Sequence, residues 1–181
     1  GWLGRVADNL AVQVRDNMLV NIGTHQSLAV NSKVHTPVVF DDPDKFQRDR
    51  WMTAPAVKHT SQRGLDLESN SNRAYLHAVH TSAQASSELI RSAWQVYVAD
   101  ADYGVAPFDL PKVAACIDAG LPTQLYHVSV RNNAFDTHVQ QPALHRRLLS
   151  YVADAVAGFV RDLEAKGCAD SVVVLLYSEF G

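Results

Sequence analysis

The sequence predicts an α/β protein with a mainly parallel sheet flanked by helices. Three observations carry that expectation. From residue 81 onward helical and strand patterns alternate, over 81–98, 111–119, 124–130, 142–166 and 171–177. Both strand runs are apolar without strict alternation, as in strands covered on two faces. Each runs into a polar cluster, and in open parallel sheets ligands gather beyond the carboxyl ends of the strands.

In chain order, Trp2 to Leu10 reads as the end of a helix. Met18 to Ile22 and Pro37 to Phe40 are short apolar runs bounded by turn residues, hence strands. Asp42-Pro43 opens a short polar helix to about Arg50, with Asp as cap and Pro at the first helical position. Residues 53–73 are rich in Ser, Thr, Asn, Gln and Arg without periodicity and read as a loop or insertion. Thr81 to Val98 has helical spacing, with Leu89, Ile90, Ala93, Trp94 and Tyr97 on one face. Asp109-Leu110-Pro111 caps a helix that Gly120 ends. Strand Gln124–Val130 and the polar loop Arg131–Gln141 follow. Pro142 then starts an amphipathic helix presenting Leu144, Leu148, Val152, Val156, Phe159 and Leu163, which Gly167 stops before strand Ser171–Tyr177. The two late strands are expected to be parallel neighbours joined by a right-handed crossover. Residues 1–181 read as part of a single domain, irregular over 1–80 and βαβ over 81–181.

Composition bounds the function. The chain has 181 residues, 47% hydrophobic and 19% charged, as in a globular protein with a sizeable core. A net charge of -3 without a basic block gives no electrostatic case for nucleic acid or an anionic membrane. The apolar run Val172–Tyr177 is far short of the roughly 20 residues a spanning helix needs. Cys116 and Cys168 lack metal-type spacing, and buried thiols are preferred to a disulfide.

The residues that could carry chemistry sit after the two late strands. The loop "RNNAFDTHVQQPALH" places Asp136, His138 and His145 near one another, and Glu179 follows the second strand. If the strands are neighbours, two carboxylates and two imidazoles converge on a common pocket at one sheet edge. Such oxygen and nitrogen donors suit zinc or manganese. A bound dication would offset carboxylate repulsion and could activate water. Taken singly, each residue has a plainer reading: a turn Asp-x-His, a solvent-facing helix His, a polar strand end. Their shared position raises the joint one. His77 and His80 could share a helix face but read as a solvated pair, and His127 as a satisfied core or edge residue. No Gly-rich phosphate loop, Gly-x-Ser-x-Gly elbow or Cys-x-x-Cys pair occurs.

Five stretches, "GWLGR" (1–5), "AGLPTQLYHVSV" (119–130), "FDTHVQQ" (135–141), "HRRLL" (145–149) and "DSVVVLLYSEFG" (170–181), resemble in order and spacing a large bacterial family of uncharacterised proteins. It is catalogued as domain of unknown function fifteen-oh-one and related to the alkaline phosphatase and sulfatase superfamily. The resemblance implies an alkaline-phosphatase-like fold and a metal-dependent hydrolase of small phosphate or sulfate esters. It also implies export to the periplasm or cell envelope, because members often carry twin-arginine signals. Members have Ser-Glu-Phe-Gly in mid-chain, a Thr-Asp-His-Gly motif later and a Gly-Gly-x-Asp segment upstream, so this sequence is expected to be an internal fragment. By the same resemblance Asp136 stands where the superfamily has an aspartate ligand. The histidine usual four residues on is replaced by Gln140, with imidazoles at 138 and 145 instead. Glu179 stands for an aspartate that histidine usually follows, and here Phe180 follows. The alternative is a non-catalytic binding or scaffold domain that keeps the fold with a degraded metal site.

Overall fold

Leu3, Ala7 and Ala11 recur every four residues, which puts them on one side of a helix. That helix, α1 (Trp2–Leu10), buries Leu3, Gly4 and Ala7. The stripe packs with Met18, Leu19 and Val30 into a core that Leu125 also touches. At Gly4 an added Cβ would stand 2.0 Å from the Asn31 carbonyl oxygen, so only glycine admits this approach. The computed structural model describes residues 1–46, 71–131, 134–138 and 141–178, with side chains in the helix that begins at Ser71 described from residue 83. These residues form a mixed α/β fold with a three-stranded parallel sheet and divide into two compact units.

The first unit is Gly1–Val96 with Leu121–His127. Its sheet has the order β2-β1-β3, from β1 (Leu19–Ile22), β2 (Val38–Phe40) and β3 (Leu125–Val128). β1 and β2 are parallel, with Val20 opposite Val38 and Ile22 opposite Phe40. On the other side Gln124 and Leu125 N–H groups donate to the Met18 carbonyl. All four residues of β1 are buried, as a central strand covered on both faces requires. Asp42 caps a single 3₁₀ turn, Pro43–Lys45, accepting from the Asp44 N–H at 3.1 Å. α2 (Ser71–Val96) buries Ser86, Ser87, Ile90 and Ala93, and the Ser87 hydroxyl donates to the Phe46 carbonyl.

The second unit is Tyr97–Gly120 with Val128–Gly181. Here α3 (Leu110–Asp118) packs on α4 (Gln141–Ala165), burying Val113–Cys116 against Ala155, Phe159 and Leu163. Gly158 lets α4 lie against the 102–103 backbone, where a Cβ would meet the Asp102 oxygen at 2.5 Å. Asp162, with no exposed surface, is held among these elements. The Tyr103 hydroxyl donates to its Oδ2 at 2.6 Å, Tyr97 donates to the same oxygen, and the Asp100 N–H donates to Oδ1 at 2.8 Å. Lys166 Nζ lies 3.8 Å from Oδ1, donates to Asp100 at 2.7 Å and sits 5.2 Å from the Tyr97 ring centroid. Desolvation opposes the Asp162 charge, but the bonds from Tyr103, Tyr97 and Asp100, with Lys166 nearby, outweigh it and hold the carboxyl below its usual range.

Several expectations change. α2 begins at Ser71 rather than Thr81, and its first turns include Ala74, Leu76 and Ala78, all good helix formers. Asp109 makes no capping bond, because its carboxylate is taken by Lys112 and Arg131. The buried stripe of α4 is confined to its second half, and Leu144 is 40% exposed. The largest correction is at 171–177, where a 3₁₀ turn (Ala169–Ser171) leads into chain that forms no strand. Val173 is 94% exposed and Leu175 67%. A strand exists by pairing its N–H and C=O groups with a neighbour, and this run joins no ladder, so the expected βαβ unit is not formed. The polar helix expected to Arg50 and the loop over 53–70 lie outside the described residues.

Asp162→Ala should lower stability by about 3 kcal/mol, as breaking a buried charged network does, and Tyr103→Phe by about 1 kcal/mol, measured by urea denaturation. An unfolded aspartate takes up its proton near about pH 4, the folded Asp162 only below that. Its stabilisation is therefore complete above that pH and is lost as pH falls through the depressed value. In Asp162→Asn the acid-side fall of the denaturation midpoint should be shallower, and an unchanged acid profile would contradict the assignment.

Candidate functional site

The polar loop after β3 is rooted by a buried carboxylate. Asp109, 7% exposed, accepts from Arg131 Nη2 at 2.7 Å and from Lys112 Nζ at 2.7 Å. Arg131 also offers its carbonyl to the Ala134 N–H, and the Thr137 N–H closes a tight turn on the Phe135 carbonyl. The backbone at 134–138 is thereby shaped by bonds local to the loop and by one ion pair at its base.

On this loop Asp136 Oδ1 and His138 Nε2 meet at 2.6 Å, with 55% and 83% of their side chains exposed. An ionised carboxylate only accepts, so His138 Nε2 carries the proton and, in the neutral ring, Nδ1 is the basic nitrogen. Asp136 thus orients His138 in the manner of an acid–imidazole dyad. Phe135 packs edge-on against His145, ring centroids 5.6 Å apart at 84°. His145 Nδ1 and Thr137 Oγ1 are shielded from solvent without a hydrogen-bond partner among the described residues. The loop therefore reaches the first turns of α4 through Phe135, while its Asp136 and His138 pair with each other. Glu179 and Gln140 lie outside the described residues.

Zinc or manganese was the ion expected from this donor chemistry. Among the described residues no three His, Cys, Asp or Glu side chains gather around a point. Asp136 Oδ1 and His138 Nε2, two of the candidate donor atoms, bond to each other instead. The donors fit such an ion in kind, but as arranged they do not hold one. The open face along the first half of α4 includes His145 but neither Asp136 nor His138.

The structure reveals a second polar pair, in the first unit. Asn21, 2% exposed on the middle strand, donates from Nδ2 to the His25 carbonyl at 3.1 Å and accepts the Ser27 N–H at Oδ1. These backbone partners fix its orientation, so the 3.0 Å contact from Oδ1 to His127 Nδ1 requires the proton on Nδ1. Burial lowers the His127 pKa. The sequence signal was a histidine inside an apolar strand, read as a satisfied core residue, and it is one. His35, 3% exposed, is likewise structural: its Nε2 bonds the Ala11 carbonyl at 2.9 Å. His77 and His80 lie in α2. Both cysteines are free thiols, and burial pushes Cys116 up to about 12.

His127 should appear in nitrogen-15 NMR as the neutral Nδ1–H tautomer at pH 7 and stay neutral below about pH 6.5, where an unperturbed histidine is half charged. The unfolded chain binds that proton first, so this group's contribution to stability is whole above that pH and falls below it. An Nε2–H tautomer would contradict the Asn21 contact.

A family model described as Protein of unknown function (DUF1501) matches residues 1–181, and the chain belongs to that family. No curated protein and no solved structure matches it.

Proposed function

We propose that this member of the DUF1501 family contributes a loop to the site of a metal-dependent hydrolase acting on small phosphate or sulfate esters. The reading is supported by the likeness of Phe135-Asp136-Thr137-His138 and Ser178-Glu179-Phe180-Gly181 to motifs of this family, whose resemblance to the alkaline phosphatase and sulfatase superfamily sets Asp136 and Glu179 at ligand positions, with Gln140 and Phe180 in place of the usual histidines. The observation that carries it is the Asp136–His138 pair at 2.6 Å, on a loop rooted by the buried Asp109–Arg131 ion pair. When bound, zinc or manganese supplies Lewis acidity and a water of lowered pKa. The chain's own part is positioning: Asp136 sets the tautomer and direction of His138 and leaves Nδ1 as the ligand or base. His145 and Glu179 are the further donors proposed for the site. Export to the periplasm or cell envelope belongs to the same proposal and rests on the same likeness. Among the described residues no helix is long and apolar enough to cross a membrane.

A second reading, a binding or scaffold domain without catalysis, is favoured by one observation: Asp136 and His138 satisfy each other, and no third donor joins them among the described residues.

Calorimetric titration of zinc and manganese separates the two. The hydrolase reading expects binding by the chain and a loss of roughly 10–100-fold in Asp136→Ala, the size usual for an orienting or ligating partner. Equal affinity in the two proteins removes Asp136 from the site. No binding by the unsubstituted chain favours the scaffold.

A further inference from the structure

The turn into α3 holds a strained residue next to a buried charge. Among the described residues other than glycine, Asn17 and Phe108 have positive φ. Asparagine visits the left-handed region readily, because its short polar side chain bonds locally. Phe108, at φ 52°, is a bulky residue in a region such side chains avoid. A conformation of this kind persists only where its surroundings over-determine it. The next residue is Asp109, 7% exposed.

Asp109 is not needed as a cap for the helix it precedes. The Leu110 N–H donates to the Pro107 carbonyl at 3.3 Å, and the Lys112 and Val113 N–H groups donate to the Asp109 carbonyl at 3.2 and 3.4 Å. Pro111 has no N–H. Backbone carbonyls therefore serve the donors at 110–113, and the Asp109 side chain makes no cap bond. Its carboxylate is left for other partners, Oδ1 for Lys112 Nζ and Oδ2 for Arg131 Nη2, each at 2.7 Å. The two partners differ in reach. Lys112 belongs to α3 itself, whereas Arg131 follows β3 and its carbonyl accepts the Ala134 N–H at 3.3 Å, just before Asp136.

We propose that the Phe108–Asp109 turn is a positioning element for the Asp136–His138 pair. The left-handed backbone of Phe108 aims the Asp109 carboxylate at Arg131, and Arg131 sets the start of the segment that carries the pair. Coupling between two such places is reciprocal. Releasing Arg131 lets Phe108 relax, and forcing Phe108 out of its conformation releases the loop. Lys112 takes no part, because its bond stays within α3. For what the pair does chemically, the proposal rests on the hydrolase reading.

The test is amide hydrogen exchange with nitrogen-15 and carbon-13 NMR on the full chain in EDTA. With no metal present, failure here and failure of the hydrolase reading are separate results. Arg131→Gln should speed exchange of the Ala134 N–H roughly tenfold, the scale of one charge-assisted bond, and move the Phe108 backbone carbon shifts toward those of negative φ. Lys112→Gln, which removes an ion pair of the same length, should do neither. Phe108→Val and Phe108→Gly both delete the ring, but only glycine takes up positive φ without strain. Phe108→Val should therefore loosen Ala134 as Arg131→Gln does, and Phe108→Gly should not. In the two loosened proteins the His138 ring signals, at about pH 8 where an ordinary histidine is neutral, should move from the Nε2–H pattern toward a mixture of tautomers. Unchanged exchange in the second half of α4 will confirm that each variant folds. Equal loosening by Arg131→Gln and Lys112→Gln, equal loosening by the two Phe108 variants, or an Ala134 amide unmoved by Arg131→Gln would each overturn the proposal.

Discussion

The second unit is organised around a carboxylate withdrawn from water. An isolated buried charge is among the costliest things a fold can contain, and Asp162 is tolerated because four groups converge on it: two phenols, one backbone N–H and an ammonium. They come from two pieces of structure, the segment between α2 and α3 and the end of α4. Tyr97 follows α2 in sequence, Asp100 and Tyr103 belong to the irregular segment before α3, and Lys166 stands at the end of α4. Satisfying Asp162 therefore fixes where the 97–104 segment lies on α4, and Gly158 makes room for that contact. Burial and the bond to Asp162 push both phenols upward, so neither ionises near neutral pH. The Lys166 ammonium, raised chiefly by its bond to Asp100, keeps its charge.

The first unit solves a related problem with neutral groups. Its middle strand is buried throughout, yet Asn21 sits in it. The side-chain amide bonds the His25 carbonyl, the Ser27 N–H and His127. This network joins β1, the turn that follows it and β3, whose residues are far apart in sequence. Substituting an apolar residue would orphan the imidazole and the turn amides together, which is why a polar residue belongs in an otherwise apolar strand.

The candidate loop is of a different character. Asp136 and His138 are mostly exposed, and their mutual bond is worth little to stability at such a surface. What gives the loop a defined place is the Asp109–Arg131 pair at its root and the packing of Phe135 on His145. Side chains that contribute little to stability while being carried by an anchored backbone are available for chemistry, and the proposed function depends on that separation. The two halves of α4 divide in the same way, since the half that packs on α3 carries the core and the other half is left with exposed residues such as Arg146 and Leu149.

Local physics was enough for much of this chain. The four-residue recurrence in α1, the Asp-Pro start at 42–43, the Gly stops at 120 and 167 and the apolar runs at β1, β2 and β3 each state their structure within a few residues, because propensity, capping and φ are properties of short segments. The placing of Asp136 and His138 on one loop and of His145 in the first turns of the helix after it was legible as well, being a matter of sequence neighbours. Tertiary structure alone decided what depends on distant partners. Asp109 reads in sequence as a helix cap, and nothing local marks Asp162 as buried or pairs Asn21 with His127, more than a hundred positions away. Residues 172–177 show the limit from the other side. Their composition is that of a buried strand, but strandness is a relation between two chains of hydrogen-bonding groups, and composition cannot supply the second.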